Sequence, residues 1–331
     1  MKRLSLTTKL YFPAAVVAGM IAWSVYVFHK ADLSIFESHW ISALVMVFGS
    51  FIAGSTPLGG GAAAFPVFTK LLLVDASQTK IFSLFIQSVG MTYATLFFYS
   101  AGLKIHWRVI LYLMPSTICS MALGISLISF ADPTIKLVFS LFALASGILL
   151  IHRNINNKAG GDFGEAPTPV TTLVIVGFLS GLLASIIGSG ADTLLFFIFT
   201  LFFNRDAKRF IPTSVAYMAI SSIVGSICIL LLTPTAISDF VSHSWIVSVP
   251  IVMIGAPLGG YIMSRTSPQY LFILIKVLLI TEGVSTFMLA RLSAAQQVVI
   301  LFFIALAAYY LFCQCRHVLR LKVNKEARPD P

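Results

Sequence analysis

The chain has 331 residues, of which 58% are hydrophobic and only 10% charged, and its mean hydropathy is +0.95. A soluble domain carries about 25% charged residues, so this composition excludes one and points to an all-α polytopic membrane protein. The net charge of +10 does not indicate nucleic acid, because the basic residues cluster at the chain ends and between apolar runs, where they orient segments and meet anionic headgroups.

Residues 1–9 hold Lys2, Arg3 and Lys9 with no acid, which places the N-terminus in the cytoplasm. A first span is expected over 11–28. More apolar runs follow it and no small-residue cleavage site is evident, so it is a membrane segment rather than a signal peptide. A polar connection with Asp32 and Glu37 completes an N-terminal unit, 1–40. The next apolar segment, 41–74, is interrupted at 49–66 by GSFIAGSTPLGGGAAAFP. Gly costs about 1 kcal/mol in a helix interior and Pro about 3, so three successive glycines between prolines break the helix. At membrane depth such backbone survives only where it is buried in protein or lines a cavity. The segment exceeds the ~20 residues that a spanning helix needs. It is either two half-helices or a re-entrant hairpin.

Ordinary spans are expected at 81–100, 109–130 and 135–151, and a polar linker at 152–169. A second broken segment, 170–203, carries GFLSGLLASIIGSGADT at 177–193. Spans at 210–232, 245–264, 270–290 and 294–312 follow, then a basic tail that is again cytoplasmic. The two parts match beyond their glycines. Phe82-Ser83 corresponds to Thr213-Ser214, Trp107 to Trp245, and Pro115, Ser120, Gly124 and Pro133 fall opposite Pro250, Gly255, Gly259 and Pro268 at one constant offset. We therefore read a repeat of one broken element plus three spans at 41–151 and again at 170–290. One extra span stands at each end, with the last span and tail at 291–331. Hairpins make the repeats inverted and full crossings make them parallel. Lys and Arg counts favour neither strongly, and the inverted arrangement is preferred because it brings both breaks together. Gly- or Pro-interrupted segments at corresponding places mark a transporter's binding site; close helix packing through small residues is the plainer alternative.

A broken helix exposes backbone N–H groups to the gap, and glycine lets an anion approach them without a fixed cation. Gly59, Gly60, Gly61, Gly188 and Gly190 form the expected walls, with Ser55, Thr56, Ser185 and Ser189 as hydroxyl donors. Ser83, Gln87 and Gly90 share one helix face, and Thr213, Ser214, Tyr217, Met218 and Ser221 lie on the matching one. Hydroxyls that bond back to their own helix are the alternative for any of these. Ionisable residues inside spans are functional candidates by default. Asp192 is the first candidate for a proton carrier or cation ligand, and Lys276 and Glu282 are coupling candidates, with an unseen counter-charge the alternative for Glu282. All six histidines (His29, His39, His106, His152, His243 and His317) lie at span ends or in connections. Neither a metal site, a cofactor nor a catalytic constellation is expected, and Cys119, Cys228, Cys313 and Cys315 form no CxxC motif.

The duplicated pattern resembles the TauE/SafE family of sulfite and organosulfonate exporters, also called 4-toluene sulfonate uptake permeases. Gly49, Gly54, Gly59-Gly60-Gly61 and Pro66 match its first motif, and Gly177, Gly181, Gly188, Gly190 and Thr213-Ser214 its second. Ser189 and Asp192 depart from it, as does Thr56-Pro57. The resemblance implies a secondary transporter in the inner membrane for a small anion such as sulfite or an organosulfonate, with export the usual direction. Protons or the membrane potential would drive it, and a homo-oligomer is open. An anion-selective channel and a proton-coupled carboxylate transporter using Asp192 are the alternatives.

Overall fold

The computed structural model describes residues 6–30, 32–59, 61–156, 169–203, 206–266, 268–289, 293–306, 308–309 and 312. Gly60, most of the linker, both charged chain ends and the Cys313/Cys315 pair lie outside the described residues. Among those residues every long element is a helix, and eight helices are long and apolar enough to cross a membrane. The chain is a multi-pass membrane protein.

The first helix, α1, covers Leu6–Lys30, and α2 covers Ser34–Ser55. A short α3, Gly61–Pro66, runs directly into a π-turn, Val67–Leu71. Three long helices follow: α4 (Ala76–Ser100), α5 (Trp107–Leu127) and α6 (Asp132–Asn156). The order then recurs. Helix α7 (Val170–Ile187) leads to a short α8 (Ala191–Phe197) and a π-turn, Ile198–Phe202. Helices α9 (Ala207–Leu232), α10 (Asp239–Arg265) and α11 (Pro268–Leu289) come next. A last apolar helix, α12, covers Ala294–Leu306.

The recurrence reaches individual side chains. In the first π-turn Thr69 Oγ1 donates to Phe65 O at 2.7 Å, and in the second Thr200 Oγ1 donates to Phe196 O at 2.7 Å. Phe65, Phe68, Thr69 and the Asp75 before α4 keep the same spacing as Phe196, Phe199, Thr200 and the Asp206 before α9. Aspartates satisfy free N–H groups at two helix starts. Asp206 accepts from Arg209 N at 2.9 Å, and Asp132 of α6 accepts from Ala76 N at 3.0 Å and caps α4 across the bundle.

Small residues set the main packing. Helix α2 lies along α10: Ser42 Oγ donates to Ser244 Oγ at 2.9 Å, Gly54 sits on the Ala256 backbone, and Gly259 receives Phe51. Helix α7 lies along α5 in the same way, with Gly177 on Leu113, Gly181 on Thr117 and Gly124 against Ser185. Each broken helix thus packs on the opposite part of the chain, parallel to its partner. Two further bonds identify the ends. Gln78 near the start of α4 donates to Ala236 O at 3.0 Å, just before α10. His106 N at the start of α5 donates to Thr213 Oγ1 at 3.1 Å near the start of α9. So α2, α4 and α10 begin at one end of the bundle, while α5, α7 and α9 begin at the other. Each broken segment returns to the end of the bundle where it started and forms a helical hairpin.

The expected breaks were too wide. Helix α2 continues through Gly49, Gly54 and Ser55 for 22 residues, and α7 continues through Gly177 and Gly181 for 18. Gly54, Gly177 and Gly181 let the backbones approach instead. Glu282 has the counter-charge that the sequence left unidentified. Lys70 Nζ, on the first π-turn, donates to Glu282 Oε1 at 2.6 Å, and Ser140 and Thr286 donate to the same oxygen at 2.9 and 3.0 Å. The pair ties the returning arm of the first hairpin to α6 and α11.

Two outcomes follow for detergent-solubilised protein followed by thermal unfolding. Gly54→Val forces a side chain into the α10 backbone, and overpacking of this kind costs about 1–3 kcal/mol; a melting temperature equal to wild type would contradict the seam. Glu282→Ala strands a buried ammonium, a loss of about 3–5 kcal/mol, whereas Lys70→Met combined with Glu282→Leu regains most of it. A double variant no more stable than the single one would show that the pair is not the anchor.

Candidate functional site

The two hairpin tips meet halfway along α4. After α2 the chain turns extended at Thr56 and left-handed at Gly59, where φ is +67°. After α7 it turns left-handed at both Gly188 and Gly190, with φ of +74° and +92°. A side chain other than glycine is strained at such angles, and Gly188 also rests on the Lys80 backbone. The tips then bond to what surrounds them. Thr193 Oγ1 donates to Pro57 O at 2.7 Å, linking one tip to the other. Gln87 Nε2 of α4 donates to Gly188 O at 3.1 Å, and Lys80 Nζ donates to Ser185 O at 3.2 Å.

The junction is closed. Ser83, Gln87, Ser189 and Asp192 are exposed by 0, 2, 2 and 0% respectively. Among the described residues seven buried side-chain N or O atoms have no hydrogen-bond partner, and three of them (Ser83 Oγ, Gln87 Oε1 and Asp192 Oδ2) belong to this cluster. Such atoms are rare because each carries an uncompensated desolvation cost, so they mark where a ligand would be satisfied. Gly61 lets the groups of this cluster come close. A Cβ there would lie 2.7 Å from Ser189 Cβ, 2.9 Å from Ser189 Oγ and 3.3 Å from Gln87 Nε2, too tight for a larger residue.

Of the residues singled out in the sequence, Gly59, Gly61, Gln87, Gly188, Ser189 and Asp192 are brought together. Ser83 stands one helical turn before Gln87 on the same face. Several hydroxyls are occupied by their own helices: Thr56 Oγ1 donates to Ile52 O at 2.8 Å, Ser55 Oγ to the same oxygen at 3.3 Å, Ser185 Oγ to Leu182 O at 2.6 Å and Ser214 Oγ to Ile211 O at 3.0 Å. Thr213 is used by His106 N. Tyr217 shares hydrogen bonds of 2.7 and 3.0 Å with Thr117 Oγ1 and Ser180 Oγ, bridging α9 to α5 and α7. Gly190 faces Phe142, Leu183 and Ile187. Lys276 is buried in α11, and Glu282 belongs to the Lys70 pair. Helices α3 and α8 have six and seven residues, and each continues directly into its π-turn.

Sequence reasoning passed over Thr193, Thr117 and Ser180. Thr193 directly follows Asp192, and that adjacency was the available signal. The other two are ordinary hydroxyls in apolar helices, and only the fold shows that they meet Tyr217.

No curated protein and no solved structure matches the chain. A family model described as Sulfite exporter TauE/SafE matches residues 42–286, which takes in both hairpins, the junction and every helix from α4 to α10. The chain belongs to the TauE/SafE sulfite exporter family of membrane transporters.

Proposed function

We propose that the protein is a secondary active transporter for a small anion of the sulfite or organosulfonate class, bound where the two hairpin tips meet. The observation that carries this reading is the convergence of Gln87 Nε2 and Ser189 Oγ beside Gly61, within a buried junction that also holds the unpartnered Ser83 Oγ. Neutral donors suit a cargo that must be released, since they hold an anion without the deep well of a buried cation. A closed junction favours a carrier over an open anion channel.

The exchanged packing, α2 on α10 and α7 on α5, supports reading 41–151 and 170–290 as inverted repeats joined by the linker. Rocking of one repeat against the other would then open the junction to each end in turn. In this reading both charged chain ends face the cytoplasm, as their excess of Lys and Arg indicates. A bacterial-type inner membrane, with export driven by protons or the membrane potential, fits this orientation. Asp192 is the fully buried acid at the junction, whereas Glu282 holds Lys70 and has a structural role in this reading.

Thermal unfolding of purified protein with sulfite, thiosulfate, methanesulfonate, taurine and lactate tests the proposal. A ligand that binds only the folded state adds about 2.7 kcal/mol at a hundredfold excess over Kd. Selective, saturable stabilisation is expected from one sulfur oxyanion class, and Ser189→Leu or Gly61→Val removes it. A cysteine-free variant controls for the chemical reactivity of sulfite. Stabilisation by amines or neutral solutes, with none from any anion, would reject the anion reading.

A further inference from the structure

The polar groups at the junction are sorted by kind. On the Gly61 side of the Gln87 amide stand donors, Nε2 itself and the Ser189 hydroxyl. On the Gly59 side stand acceptors: a Cβ placed on Gly59 would lie 2.5 Å from Gln87 Oε1 and 3.6 Å from Asp192 Oδ2. The bond from Gln87 Nε2 to Gly188 O fixes which end of the amide is which. Both acceptors flank Gly59, both are buried, and neither has a hydrogen-bond partner. The other carboxylate oxygen is already used, since Asp192 Oδ1 accepts from Thr193 N at 2.8 Å.

We infer that Asp192 binds an exchangeable proton on Oδ2, and that Gln87 Oε1 accepts the hydrogen bond this proton makes. One proton satisfies both unpartnered oxygens. The anion site proposed above enters only through the shared Gln87. With the proton bound, the Asp192 side chain is neutral and Nε2 and the Ser189 hydroxyl are presented to the anion. With it gone, a buried carboxylate stands behind the same amide and repels the anion. Anion and proton therefore bind together and cross in the same direction, and a monovalent anion crosses with no net charge. Under this coupling the membrane potential does no work on it, and an inward proton gradient favours uptake. Export then runs down the anion's own gradient rather than on the driving forces named above.

The titratable groups around Asp192 are few. Helix α9 contributes Tyr217, held by Thr117 and Ser180, and α4 contributes Lys80, which donates to Ser185 O. Helix α6 contributes Asp132, spent on capping α4, and Lys136, while Lys70 on the facing hairpin is paired with Glu282. Helix α7 and the turn after α8 carry no titratable residue.

Two readouts on full-length protein test this. The first uses no anion: infrared difference spectra taken from acid to alkaline pH should contain a protonated carboxyl C=O band that titrates. Asp192→Asn should remove the band, and Gln87→Leu should move it to higher frequency. The second is calorimetry with methanesulfonate, which does not titrate in this range, in buffers of different ionisation enthalpy. Wild-type protein should take up as much as one proton per anion, with affinity falling about tenfold per pH unit above the transition. Asp192→Asn should take up none and bind with a flat pH profile. A missing band, or one that neither substitution alters, overturns the proton site. Proton uptake that persists in Asp192→Asn, or a sodium requirement without proton uptake, overturns the coupling. If the band behaves as expected but no anion binds, the proton site stands and the anion reading fails.

Discussion

Interrupting a helix at membrane depth leaves backbone carbonyls and amides that water cannot reach, and each must find a partner within the protein. That requirement organises the molecule. Pro57 O is met by Thr193, Gly188 O by Gln87 and Ser185 O by Lys80. In all three cases the partner comes from outside the hairpin whose carbonyl it serves. Neither tip could be buried by itself, so the two breaks and the middle of α4 form one unit. Cargo recognition then uses what this accounting leaves over.

The matched hairpins differ in charge. At equal spacing Asp192 in the second stands where the first has Gly61, and Leu201 stands where the first has Lys70. The first hairpin therefore carries a cation on its returning arm, held by Glu282 far along α11, while the second carries an acid at its tip. The positive charge is neutralised by a partner on another helix. The acid has one oxygen bonded to Thr193 N and the other without a partner. Duplication supplies the frame, and departures from it supply the chemistry.

Much of the fold was legible because Gly and Pro clusters in apolar runs have few structural meanings. The breaks, their pairing and the spans around them follow from that. Their extent was not legible, because a glycine that admits another helix looks the same as one that ends its own. Gly54 and Gly181 belong to the first kind and Gly59 and Gly188 to the second, and only backbone angles and neighbours separate them. Hydroxyls posed the same ambiguity. Ser83 points to no partner while Ser214, its match, bonds back to Ile211. The Lys70–Glu282 pair spans so much sequence that no local pattern could announce it. Gln87 and Ser189 were visible as polar residues on the correct faces, yet the sorting of donors from acceptors around the Gln87 amide exists only in three dimensions.

Parallel packing of each broken helix on the opposite part of the chain also bears on how the protein is made. Helix α2 leaves the ribosome early, with Ser42, Ser50 and Gly54 along the face that will meet α10. That partner is synthesised only after the linker, the second hairpin and α9. Until then α2 has a polar stripe and a groove with nothing seated in them, and its hairpin lacks the tip that would cap Pro57. The second hairpin faces no such delay, since α5 is already in place when α7 arrives. Assembly of this membrane protein is therefore lopsided in time, and the first hairpin, although inserted before the second, is the last to be locked in.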